Sequence, residues 1–385
     1  MDCVSERSRI SSSMASIMYT NAAYFPNHRV YEGHTPGMLN YGCINRVYYA
    51  HASVAQDGGV FLSDEWADAR APVDGVQGGL GSLMHLKQKH RHLQVILSIG
   101  GGTAAETFPI VAGNALYRDN FARSSLGLVE ASGLDGIDIA WEHPNDAKQG
   151  QDLVALLAAI RIRLPEDRFI LTAALPANQT ILQFIDFRAA AAYLDYVNLM
   201  AYDFFGSWTS TSGHHAQLYA MNKDEPSGSS AVTYLMSHGF PAKKILLGIP
   251  THGRSFLRAA GPGQHFRGCG GDGGVFEYGQ LPRRGTRESV DKRHVAALCT
   301  GGDGGFVTYD NVETVQAKAG YCKQKGLAVS HHDRLEGPRF RGYAQAVTWF
   351  ITDLVKGLFY SDAPADSKDK SRSLIAAGFC TLHTS

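Results

Sequence analysis

Residues 134–142 read Leu134-Asp-Gly-Ile-Asp-Ile-Ala-Trp-Glu142. Along an extended strand alternate side chains share a face, so Asp138, Ala140 and Glu142 are predicted to point together to one side. Ile139 and Trp141 are predicted to face the other, against helices. A row of carboxylate positions closing an otherwise apolar strand has few structural uses and points to chemistry at that strand end.

Runs of the same kind recur at residues 17–25, 46–53, 94–99, 136–141, 169–174, 196–201, 245–249 and 357–360. Stretches with helical period lie between them, at 80–90, 120–132, 151–164, 231–239 and 312–325 among others. Eight alternating units predict an α/β fold, a closed (β/α)8 TIM barrel, with its site at the carboxyl ends of the strands. The rhythm breaks at 255–309, where glycine-rich pieces (GCGGDGG, CTGGDGG) predict a small α+β insertion domain between strands 7 and 8.

Composition removes several function classes. Lysine plus arginine number 36 and so do aspartate plus glutamate, so no net field favours nucleic acid, an anionic membrane or a charged substrate. The six cysteines, Cys3, Cys43, Cys269, Cys299, Cys322 and Cys380, form no CxxC pair and are expected to be free thiols. No His or Cys spacing suggests zinc, and neither a metal nor a cofactor is expected. Residues 1–16 are polar and predicted to be a disordered extension ahead of a single domain, 17–385, expected to be a monomer. The N-terminal residues lack the apolar run of a signal peptide, and Met14 would serve equally as a start. Compartment is therefore unassigned: cytoplasmic or non-classically secreted for this sequence, extracellular if the true N-terminus differs.

Residues 134–142 resemble the DxxDxDxE signature of glycoside hydrolase family 18, the fungal chitinases and chitinase-like proteins. Four further blocks stand in that family's order: Ser98-Ile-Gly-Gly, Met200-Ala-Tyr-Asp203, Gly248-Ile-Pro-Thr-His-Gly-Arg254 and Gly357-Leu-Phe-Tyr. The resemblance covers roughly residues 18–328 and 357–382. It implies a chitin or chitooligosaccharide partner, with the substrate's own N-acetyl carbonyl as nucleophile rather than a second carboxylate. Glu142 matches the family's acid, and Tyr202 the tyrosine that hydrogen-bonds the N-acetyl group. Asp203, Arg254, Met200 and Tyr24 fall at cleft-lining positions, the insertion at 255–309 where relatives wall the cleft. The family's middle aspartate, which orients the acetamido group and stabilises the cationic intermediate, is here Ala140. Asp138 is the carboxylate expected to substitute in part through a water. Aromatic positions have also changed: His28, His51 and His252 replace Trp, Phe and Tyr and are expected to be polar fillers, and Ser361 stands where a Trp floors the subsite.

Three readings follow: a chitin-binding protein whose hydrolysis is weak or lost, an active endochitinase, or a non-catalytic chitin-binding lectin or decayed gene product. Residues 329–356 have no counterpart in the family, and deleting them joins Ala328 to Gly357 as relatives run. We read them as a retained intron, since Val-Ser can be encoded by GTGAGT and Thr-Asp can hold a branch point. The rival reading puts the last strand at 346–350, with Trp349 as the platform.

Overall fold

The computed structural model describes residues 20–42 and 44–328. Seven parallel strands form one curled sheet: β1 (Ala22–Pro26), β2 (Arg46–Val54), β3 (Gln94–Gly100), β4 (Gly136–Ala140), β5 (Ile170–Pro176), β6 (Tyr196–Met200) and β7 (Ile245–Leu247). They neighbour one another in chain order. This is the α/β arrangement expected; β2 to β7 each start and end within two residues of the apolar run, while β1 begins only at Ala22. The eighth strand expected at 357–360, the 329–356 segment, the 1–16 extension and Ser361 lie outside the described residues.

Parallel strands covered on both faces need apolar side chains throughout, and β1 to β7 carry them: Val47, Val95, Ile96, Ile137, Leu171, Val197 and Leu246 are fully buried. Trp141 faces away from the barrel axis and stacks on Phe108 of the helix Thr107–Gly113, ring centroids 5.5 Å apart. The outer helices begin earlier than their apolar period suggests. Ala115–Ser132, Ala147–Arg163 and Gly228–Ser237 start directly after Asn114, Asp146 and Ser227, whose side chains accept the first free backbone N–H groups. Capping residues are polar, so a search for apolar period passes over the first turn.

After β7 the chain enters a five-stranded antiparallel sheet: β8 (His252–Phe256), β9 (Val275–Glu277), β10 (Glu288–Asp291), β11 (Ala296–Gly301) and β12 (Gly305–Tyr309). It opens three residues before the expected 255, and its helical content among the described residues is the single 3-10 turn Tyr278–Gln280. The helix Val312–Lys325 then carries Lys318, whose ammonium pairs with Asp310 and donates to the Ala216 carbonyl at 2.6 Å. Both charged side chains are at most 2% exposed. Lys318→Ala strands a buried carboxylate and is expected to cost about 3–5 kcal/mol in urea unfolding. A loss under about 1 kcal/mol would mean that water reaches Asp310.

Candidate active site

Register across β3, β4 and β5 sets Ser98 beside Asp138 and Asp138 beside Thr172. Both hydroxyls donate to the Asp138 carboxylate, Ser98 Oγ to Oδ2 at 2.8 Å and Thr172 Oγ1 to Oδ1 at 2.6 Å. Two more donors come from across the barrel: Tyr24 OH to Oδ2 at 2.8 Å and Asn198 Nδ2 to Oδ1 at 3.2 Å. Asn198 also donates to Tyr24 OH, and its Oδ1 accepts from Tyr48. A carboxylate offers about four acceptor sites, and here all are filled. Burial raises the Asp138 pKa while these four hydrogen bonds pull against it.

That geometry corrects two expectations. With every acceptor site taken, Asp138 has none left to reach an intermediate through a water. Tyr24, fully buried under the network and stacked on Tyr48 at 4.5 Å, is a floor for Asp138 rather than a wall of the cleft. Above Asp138 comes Ala140, 3% exposed, so the middle position of the row is a methyl group. Its carbonyl accepts from Gly101 N at 2.8 Å. The preceding Gly100 holds a φ of 118°, and a Cβ there would lie 2.5 Å from the Ala140 oxygen, which explains the Gly-Gly pair as a close backbone approach.

Glu142 follows β4 and is partly buried, with no hydrogen bond to another described side chain. Burial, and then the negative charge of Asp203, raise its pKa, as a proton donor at near-neutral pH requires. Tyr202 lies close to both carboxylates. Burial, Asp203 and Glu142 all push its phenol well above its ordinary range, so it stays a donor. Met200 ends β6 two residues before Tyr202 and is half-buried.

Asp203 anchors a second network. It holds a left-handed φ of 58°, which Asp tolerates better than most residues. Arg254 binds it in a fork, Nε to Oδ1 at 2.8 Å and Nη2 to Oδ2 at 2.7 Å. Nε2 of His252 and Nδ1 of His215 also reach Oδ1, at 3.0 and 3.2 Å. Burial alone would raise the Asp203 pKa, but the charge and hydrogen bonds of these partners hold it well below the usual carboxylate range. His252 is thus a positioning group for Asp203 and not merely a filler. Arg254 also lies 4.8 Å from the ring centroid of Trp208, which is 52% exposed on the loop after β6.

Sequence reasoning passed over Thr172, Asn198, His215 and Trp208. The first two were visible as polar residues inside otherwise apolar strands. His215 and Trp208 stand in a loop, where the pattern carries little information.

His215 is fully buried and its pKa falls to about 3, chiefly by desolvation. A histidine held neutral in the fold and protonated in the unfolded chain supports stability above its unfolded pKa, about 6.5, and loses that support as pH falls toward the folded value. The loss from His215 should reach about 2 kcal/mol by pH 5. Urea unfolding at pH 7 and pH 5 tests this: His215→Asn, whose amide can still donate to Asp203, should show a pH dependence smaller by about that amount. An unchanged dependence would place the titration elsewhere, His51 and His143 being next, both lowered to about 4 with burial as the main cause.

Residues 20–329 match the family described as glycosyl hydrolases family 18. The chain belongs to that family. It is 35% identical over 338 residues to chitinase 1 of Aphanocladium album, covering 80% of this chain and 79% of that protein. To the sporulation-specific chitinase 2 of Saccharomyces cerevisiae it is 28% identical, covering 80% and 72%. Among solved structures, an immunomodulatory active chitinase from Trichuris suis superposes with a TM-score of 0.74 at 26% identity, over 81% of this chain and 90% of that one. A family 18 chitinase from Cycas revoluta in complex with allosamidin gives 0.72 at 26% identity, over 80% and 93%. The seven-stranded sheet is thus the core of a family 18 TIM barrel, and its chitinase-like character holds at the level of the family.

Among the described residues of this family 18 chain, Cys299 and Cys322 are buried and Cys269 partly so, and all three are free. No helix among those residues is long and apolar enough to cross a membrane.

Proposed function

We propose that this chain binds chitin or chitooligosaccharides, chains of β-1,4-linked N-acetylglucosamine, in the cleft above β4 and β6, and that its hydrolytic power is weak or lost. The observation that carries the second half is the Ala140 methyl between Glu142 and an Asp138 whose acceptor sites are filled. Glu142 can protonate the glycosidic oxygen, and Tyr202 can donate to the N-acetyl carbonyl as it attacks the anomeric carbon. The positive charge that then spreads over the acetamido group meets no carboxylate at position 140. Loss of one preorganised stabiliser of this kind costs about 3–4 kcal/mol of transition-state stabilisation.

Binding depends less on that charge. Sugar C–H faces stack on aromatic rings while hydroxyls find polar edges, and Trp208 beside Arg254 and Asp203 offers both. The second reading, an active endochitinase, is favoured by the raised pKa of Glu142. Chitin beads with cellulose beads as control test the binding. Retention on chitin alone is expected, and passage through both would overturn the reading.

A further inference from the structure

We infer that His214, Asp291 and His294 form a transition-metal site, suited to Zn²⁺, at the seam between the barrel and the antiparallel sheet. His214 comes from the loop after β6, Asp291 ends β10 and His294 lies in the turn before β11. Their candidate ligand atoms all lie within 4.8 Å of one another. The Nε2 of His214, on a residue with no exposed surface, is 3.4 Å from Asp291 Oδ2 and makes no hydrogen bond. At that distance the two groups are in electrostatic contact without a well-formed hydrogen bond, so a buried ring nitrogen is left with a position that an ion can fill. Ligands about 2.0–2.1 Å from a tetrahedral zinc stand about 3.4 Å apart, which is the His214–Asp291 spacing. His294 Nδ1, now 2.8 Å from the same oxygen, would part from it by about half an ångström as the ion replaces the shared proton.

The outer contacts orient all three. Thr308 Oγ1 lies 3.0 Å from His214 Nδ1 and can accept its proton, which leaves Nε2 with a free lone pair. Asp291 Oδ1 accepts from the backbone N–H groups of Arg293 and His294 at 3.0 and 3.1 Å, so Oδ2 is the oxygen presented. The His294 carbonyl accepts from Leu218 N at 2.9 Å, and an ion here would reinforce that link between loop and sheet. Three protein ligands would leave a fourth position for water, and Asp291, whose side chain is 25% exposed, gives the site access to solvent. The other cluster, Asp203 with His215 and His252, is a poorer candidate because the Arg254 guanidinium already occupies both Asp203 oxygens. Sequence spacing did not show the site, since only Asp291 and His294 are neighbours, as an i,i+3 pair, while His214 comes from a distant loop.

The test is calorimetric titration of ZnCl2 into the chelator-treated full-length protein, with Co²⁺ absorption as a geometric readout. One ion per chain is expected, with proton release and a tetrahedral cobalt spectrum. At zinc 100-fold above its dissociation constant, the melting temperature should rise by about 3–6 °C. His294→Gln and Asp291→Asn should each weaken binding by more than about tenfold, and Thr308→Val by about 10- to 100-fold through loss of the outer contact, whereas His252→Gln should leave it unchanged. His294→Gln keeps the backbone carbonyl that holds Leu218, so loss of metal is separable from loss of fold. No saturable zinc binding, or binding that survives His294→Gln but fails in His252→Gln, would overturn the proposal.

Discussion

Ala140→Asp is expected to raise hydrolysis of chitooligosaccharides by about 100- to 1,000-fold, the inverse of what removing one such stabiliser costs. The substitution adds a carboxylate between Asp138 and Glu142, where the developing positive charge of the acetamido group would lie. Asp138 cannot turn to that charge because Tyr24, Ser98, Thr172 and Asn198 hold both its oxygens. A third acid in the row should raise the pKa of Glu142 further, which favours the proton donor and carries activity to higher pH. Initial rates on a fluorogenic chitotrioside across pH 4–8 measure the gain. No gain at all would move the defect from position 140 to the floor of the subsite or to residues 329–356.

Glu142→Gln in the Ala140→Asp background is expected to remove about 100- to 10,000-fold of the recovered rate, the usual contribution of a positioned general acid. Glutamine keeps the shape and can hydrogen-bond the leaving oxygen but cannot protonate it. Affinity for chitohexaose should therefore stay within about twofold, and the loss should fall on kcat rather than KM. The rate of the parent should fall as pH rises through the raised pKa of Glu142, and the glutamine variant should lose that limb. A rate that survives the change would make another group the acid, and none of the described carboxylates near the cleft is as well suited. Asp138 is saturated with donors, and Asp203 is held ionised by Arg254, His252 and His215.

The strand carrying Asp138 and Ala140 was legible in the sequence because the β period is 2 and local, which sets those two on one face; Glu142 follows the strand's end at Ala140. What surrounds the row was not. Ser98, Thr172, Asn198 and Tyr24 converge on Asp138 from β3, β5, β6 and β1, and that convergence depends on register between strands up to 174 residues apart. The same limit hid the Asp203 network, where His215 and His252 arrive from a loop and from the opening strand of the antiparallel sheet. Reading His252 as a filler missed its bond to Asp203 for this reason. Helix starts slipped because Asn114, Asp146 and Ser227 fix them with polar side chains. The insertion was visible as an interruption of the βα rhythm, but its five-stranded pairing follows from long-range register that glycine-rich pieces do not reveal.

Titrating chitohexaose into the unmodified protein by calorimetry, then analysing the sugar after prolonged incubation, tests the account most directly. The account predicts saturable heat with the hexamer left intact or only slowly shortened. Rapid shortening at the rate expected of the Ala140→Asp variant would contradict the role given to position 140, and absence of any heat would contradict the cleft as a chitooligosaccharide site.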